Sequence, residues 1–156
     1  FIRTMHCWGW ATWRDRWEKF MEEPLSCDSY YLKSIFTEKM VKEFDLNLNK
    51  SIFWSQVDDN VNGKLNNTWD IFWYSFIFIN KGLCLTPKVS MTRNIGHDGS
   101  GIHSTIDKDY LFSKVNEGNI IYFPETIHEN SYCLKKIRKY LNKKNSIYSR
   151  LLRKFF

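Results

Sequence analysis

Thr68-Trp69-Asp70-Ile71-Phe72-Trp73-Tyr74-Ser75-Phe76-Ile77-Phe78-Ile79-Asn80-Lys81-Gly82 contains the longest apolar passage of the 156-residue chain, and its reading decides the architecture. Its length and flanks predict a helix over 68–80, closed by Lys81-Gly82, because glycine readily takes up the backbone conformations that end helices. The passage is so rich in aromatic and β-branched residues that a strand stays open as the alternative. Either way, Ile71 to Ile79 is too short and too interrupted to cross a bilayer.

Upstream, Trp8, Trp10, Trp13 and Trp17 crowd into ten residues. Trp10, Trp13, Trp17 and Phe20 recur at helical spacing with Arg14, Asp15, Glu18 and Lys19 between them. A helix is therefore expected from about Ala11 or Thr12 to a point before Pro24, with those aromatics on one face. A second helix is expected over 28–44, capped by Ser26 or Asp28, with Leu32, Ile35, Phe36, Met40 and Phe44 turned inward. Residues 46–67 are polar and Asn-rich and read as a loop around Asn62-Gly63, with one short piece near 51–57. Downstream, 83–92 alternates as a strand broken at Pro87 would, and 119–123 suggests a last short strand.

Composition narrows the class. With 43% apolar and 26% charged residues, three Pro and seven Gly, the chain is neither disordered nor fibrous. Its size suffices for a real core. The net charge of +6 comes from one end: residues 134–156 carry nine of the 23 bases and no acid, leaving the first 133 residues at −3. Nucleic acid is thus not the expected partner of the main body. Cys7, Cys27, Cys84 and Cys133 are widely spaced and form no CxxC, so reduced, mostly buried thiols of a cytoplasmic protein are expected, not a zinc site or disulfide framework. Arg3 is followed by a Trp-rich segment instead of an aliphatic one, which does not read as a signal peptide. The chain opens at Phe1 without an initiator Met, and the expectation is that it is a piece of something longer.

Several groups of residues could carry chemistry. In Trp8-Gly9-Trp10 the glycine allows close backbone approach and the indoles can stack on flat or sugar rings, or simply pack. Asp70, set among Trp69, Ile71, Phe72 and Trp73, is either a helix-start carboxylate or a desolvated acid whose pKa is raised toward that of a general base. The loop Asn94-Ile95-Gly96-His97-Asp98-Gly99-Ser100-Gly101-Ile102-His103 is small enough to wrap a phosphate or metal, or is a surface loop with incidental histidines. It matches neither a P-loop nor a dinucleotide fingerprint. Asp58-Asp59-Asn60 and Asp107-Lys108-Asp109 look like acidic metal triplets, but such clusters more often make solvated turns.

Taken in order, His6-Cys7-Trp8-Gly9-Trp10-Ala11-Thr12-Trp13, then Thr68-Trp69-Asp70 with Trp73, then Leu85-x-Pro87 and the Asn94-Ile95-Gly96…His103 loop resemble the C-terminal half of a bacterial family 2 glycosyltransferase. The resemblance covers about 4–130. It implies an α/β fold: the acceptor-side part of a Rossmann-like GT-A nucleotide-diphospho-sugar transferase over 1–130, followed by a basic helical tail over 131–156. The donor-binding half, with its Asp-x-Asp motif, is not among these residues, so the isolated chain is expected to be inactive.

The resemblance further implies a nucleotide-diphospho-sugar donor, a glycan or lipid-linked acceptor, and a divalent cation, Mn²⁺ or Mg²⁺. Asp70 stands where such enzymes place the base that deprotonates the acceptor hydroxyl, although the family often has Glu-Asp where this chain has Trp69-Asp70. Trp8, Gly9, Trp10 and Trp13 stand at a loop lining the sugar, with Trp69 and Asp98 as further substrate-binding residues. His103 stands where a late histidine completes the metal shell, with His97 as the alternative. The rival class is a non-enzymatic carbohydrate- or ligand-binding domain with an anion-binding tail. In the tail, Leu134, Ile137 and Leu141 at helical spacing beside Lys and Arg suggest a peripheral anchor on an anionic membrane, or else a solvated helix.

Overall fold

The computed structural model describes residues 1–23, 28–64, 68–100, 106, 112–119 and 122–144. Its helices are α1 (Arg14–Glu22), α2 (Ser29–Ile35), α3 (Glu38–Phe44), α4 (Trp54–Val61), α5 (Trp69–Ile79) and α6 (Ser131–Lys144), with a 3-10 helix at Ile95–Asp98. Among the described residues there is no strand, and β pairing is confined to an isolated antiparallel bridge between Ile2 and Cys84.

The expected α/β, Rossmann-like GT-A architecture is therefore overturned, and these residues form a helical protein. A parallel sheet needs several strands covered on both faces. Here the apolar passage that could have supplied one is helical, as the first expectation had it. Among the described residues the alternating stretch 83–92 forms a β-bridge at Cys84, which exchanges both backbone hydrogen bonds with Ile2 at 2.7 and 3.0 Å, and otherwise takes one backbone bond, from the Asn116 amide to the Ser90 carbonyl at 2.8 Å. The described residues of the second expected strand, 119, 122 and 123, are not in a strand either.

α5 is the centre of the core. Ile71 to Phe76 are buried at six consecutive positions, as befits a helix that is apolar all round. Around it lie Phe20 of α1, Leu32 of α2 and Phe36 beyond its end, Phe44 of α3, and Trp54 and Val57 of α4. The contacts are largely ring on ring: Phe44 stacks on Tyr74 at 4.5 Å and Phe20 meets Trp73 edge-on at 5.1 Å. The Tyr74 hydroxyl, whose pKa is raised mainly by burial, donates to the Phe44 carbonyl at 3.0 Å. α5 ends as expected at Lys81-Gly82, but the left-handed residue is Lys81, at φ 53°. Gly82 sits where space is tight: a Cβ there would lie 3.1 Å from Ile77 Cγ2 and 3.3 Å from the Ile77 carbonyl oxygen, so Ile77 would have to give by a few tenths of an ångström.

Three other expectations are corrected. α1 begins at Arg14, so Trp13 is its N-cap residue and is 75% exposed instead of lying on the packed face. The single helix expected over 28–44 is two. Asp28 caps α2 as predicted, accepting from the amides of Tyr30 and Tyr31 (Ser26 lies outside the described residues), but Phe36 turns extended and Thr37 caps α3. Leu32, Phe36 and Phe44 are buried, and Ile35 and Met40 partly so. Within the expected loop, Trp54–Val61 is helical, because the buried Asp45 carboxylate holds its start. Oδ1 accepts from the amides of Ile52, Phe53 and Trp54 at 3.0, 2.7 and 3.1 Å, and Oδ2 from the Ser51 hydroxyl at 2.7 Å.

The N-terminal segment ties distant parts together. Besides the Ile2–Cys84 bridge, the Asn130 amide donates to the Phe1 carbonyl at 2.9 Å, and the Arg3 guanidinium pairs with Glu129 just ahead of α6. Asn130 then caps α6, its side chain accepting from the Cys133 amide at 2.9 Å. Among the described residues no helix is long and apolar enough to cross a membrane. Cys7 and Cys84 are half-buried free thiols and Cys133 is an exposed one, so thiols that are mostly buried are not found at these positions. Cys27 lies outside the described residues.

Candidate functional site

Asp70 sits in the first turn of α5, half-buried, where the helix dipole favours a carboxylate. It borders a cleft of about 180 Å³ whose walls come from three parts of the chain: His6, Cys7 and Trp8, then Phe53 and Gln56 at the start of α4, then Asp70 and Tyr74 of α5. The fold thus brings Trp8 and Asp70 to one place. A larger, open depression of about 500 Å³, lined by Lys19, Glu22, Glu23, Phe76 and Asn80, lies at the C-terminal ends of α1 and α5 and holds none of the expected site residues.

The Cys7 thiol faces the Asp70 carboxylate. Burial, then the charge of Asp70 and a hydrogen bond to it, push the thiol up to about 11, so at neutral pH Cys7 is an S–H donor beside Asp70 and not a nucleophile. His6 keeps a solvent-exposed surface, while crowding by its neighbours lowers its pKa below the usual imidazole value. Gln56 donates weakly through Nε2 to the Ile52 carbonyl at 3.4 Å.

Gly9 gives the Trp8–Trp10 loop its path. Its φ is +66°, and a Cβ there would fall 2.5 Å from Thr92 Cγ2 and 2.6 Å from Oγ1. Only glycine tolerates both conditions, so the close approach that Gly9 permits is to Thr92, next to the loop that carries His97. Trp8, 57% exposed, meets His97 edge-on at 5.8 Å. Trp10 turns inward and stacks on Trp69 at 5.2 Å, in contact with Trp17 and Trp73 as well. Trp69 remains 40% exposed, and the exposed Trp13 does not line the cleft.

The glycine-rich loop is divided. Asn94 caps the 3-10 helix by accepting from the Gly96 amide at 2.9 Å, and His97 is the buried residue of that helix. Asp98 stays in solvent, its carboxylate taken up by the Ser100 amide and hydroxyl at 2.8 and 2.6 Å, and those bonds lower its pKa. His103 lies outside the described residues, as do Asp107 and Asp109. Asp58 pairs with Lys33 at 2.9 Å and Asp59 with Lys64 at 3.5 Å. Among the described residues no three His, Cys, Asp or Glu side chains gather to hold a metal ion, so His97 and Asp98 do not by themselves fit the expected divalent cation.

Cys7, Gln56, Phe53 and Tyr74 join the cleft without having been singled out. Cys7 was findable as the neighbour of Trp8; Phe53 and Gln56 fall in the short piece expected near 51–57, where nothing in the sequence marked them for chemistry. Comparisons with protein-family models, with curated proteins and with solved structures find no match.

Proposed function

We propose that the chain is a fragment of a glycosyltransferase that moves a sugar from a nucleotide-diphospho-sugar to a glycan or lipid-linked acceptor, with Asp70 as general base. The observation that carries this reading is the cleft that joins Asp70 to Trp8, residues far apart in sequence that the resemblance assigns to base and sugar-lining loop. Its volume is below the roughly 300–1,000 Å³ of sites that engulf a drug-sized ligand, which suits one sugar ring or the reacting end of a longer acceptor.

In the step proposed, an acceptor hydroxyl within about 3 Å of the Asp70 carboxylate gives up its proton to it. The acceptor oxygen forms a bond to the anomeric carbon as the bond from that carbon to the diphosphate oxygen breaks, and the nucleoside diphosphate leaves with the electron pair. The Cys7 S–H donates to the carboxylate in the resting state and holds it toward the cleft. The exposed face of Trp8 offers an apolar wall for a sugar ring. Donor binding falls to residues other than these 156, and no step is routed through a cation.

The test is release of nucleoside diphosphate by the complete gene product, offered a panel of nucleotide-diphospho-sugars and glycan or lipid acceptors. Asp70→Asn should lower turnover by at least about 10²-fold with donor binding retained, the scale of losing acid–base catalysis. Undiminished turnover would remove Asp70 from the mechanism, and no turnover by the unaltered protein across the panel would end the transferase reading. The exposure of Trp8, Trp13 and Trp69 favours one second reading, a carbohydrate-binding module without catalysis. That module would bind glycan with Asp70→Asn as well as without it, and would release no diphosphate.

A further inference from the structure

We propose that the outward face of α6 is a docking surface for an anionic lipid bilayer, an inference independent of the sugar-transfer reading. α6 has two unlike sides. Leu134, Ile137 and Leu141 form its apolar stripe; Leu134 is only 5% exposed and Ile137 and Leu141 are half-buried, so the stripe faces the protein most closely at Leu134. The apolar face that the sequence offered to a membrane is thus covered in part by the protein itself.

Opposite that stripe, at 3.6 residues per turn, fall Tyr132, Lys135, Lys136, Lys139 and Lys143. Tyr132 is 67% exposed, and Lys136 Nζ lies 5.2 Å from its ring centroid. Lys135, Lys136 and Lys139 are exposed and make no ion pair among the described residues. No acid occurs from 130 to 156, and the nearest, Glu129, is taken by Arg3.

Charge complementarity selects the partner. A helix of 14 residues makes a rod of about 20 Å with its bases on one side, which suits a plane. The first 133 residues are net negative and would repel a polyanion wrapped around them, whereas a flat anionic surface is attracted by the basic side of α6. Exposed tyrosine rings are at home at headgroup level. Binding is therefore electrostatic and interfacial, without insertion of the leucine stripe.

Flotation of the 156-residue chain with vesicles of neutral phosphatidylcholine, and of phosphatidylcholine mixed with phosphatidylglycerol, tests this. The expected result is partition onto the anionic vesicles at least about ten-fold above the neutral ones, abolished near 1 M salt, where the screening length is about 3 Å. Each lysine near the surface is worth about five-fold, so Lys135→Gln, Lys136→Gln and Lys139→Gln together should lower partition roughly a hundred-fold. The matching Arg triple should retain it. All three positions are exposed, and far-UV circular dichroism checks that the variants stay folded. Equal partition onto neutral lipid, undiminished binding by the Gln triple, or tighter binding to a single-stranded oligonucleotide than to vesicles would each overturn the proposal.

Discussion

Removing the Asp45 carboxylate should do more damage than any other single change to a charged residue near the core. Asp45 is 5% exposed, and its two oxygens accept four hydrogen bonds, three from the amides that open α4. Losing an ordinary N-cap costs about 0.5–2 kcal/mol, and a bond to a charged group contributes about 1.5–3 kcal/mol. The Ile52 and Phe53 amides can turn to water, but the Trp54 amide is buried and cannot. Asp45→Ala should therefore cost about 3 kcal/mol, which for a chain of this size lowers Tm by roughly 6–12 °C. Asp45→Asn keeps an acceptor at Oδ1 without the charge and should cost about half as much. Urea unfolding followed by tryptophan fluorescence reads both, since Trp54 packs 4.8 Å from Phe36 in the core. A loss under about 1 kcal/mol for Ala at unchanged m, or an Ala variant no worse than Asn, would refute the claim that this carboxylate builds α4.

Two further outcomes follow from shifted ionisations. Asp70→Asn removes the charge beside Cys7 but leaves its burial and an acceptor at Oδ1, so the thiol should fall from about 11 toward, yet stay above, its ordinary 9.0. Alkylation of Cys7 near pH 8 should then speed up several-fold while Cys84 is unchanged; site-resolved mass spectrometry showing no change at Cys7 would deny the contact. Glu129 is held below its ordinary 4.5, first by its hydrogen bond to Arg3. Its contribution to stability is present above 4.5 and disappears as pH falls through the lower folded value, so Glu129→Gln should flatten the acid limb of the stability curve below about pH 4.5 and leave its slope near neutrality alone.

The helical centre of this fold was legible because α5 is long, apolar and punctuated by Lys81-Gly82, and the inward set Leu32, Phe36 and Phe44 was legible from spacing. What was not legible depended on partners distant in sequence. α4 is capped by Asp45, too far upstream of Trp54 for any local capping rule, and the break at Phe36-Thr37 opposes a periodicity that runs straight through it. The strand reading of 83–92 failed because alternation describes a strand only if a neighbour pairs along it, and among the described residues the stretch finds one bridge to Ile2 and a single bond from Asn116 to Ser90, with no neighbour running alongside. In the candidate site, Asp70 and Trp8 were marked in advance and do share a cleft. Trp13 and Trp10 could not be told apart by period, since both precede the helix whose face they were meant to share, and Trp10 turns into the tryptophan cluster while Trp13 faces water.

The attachment of Phe1, Ile2 and Arg3 to Cys84, Glu129 and Asn130 has a consequence for local opening. Arg3 and Glu129 are 126 positions apart, so their contact forms only after most of the chain has been gathered in. The amides of Ile2, Cys84 and Asn130 each bond to or from this one short segment and to nothing within a helix. They should therefore exchange their hydrogens as a single cooperative unit, well before the amides inside α5. A fluctuation that lifts the first three residues releases the stretch after α5 and the base of α6 in one event, so the basic helix and the middle of the chain loosen together.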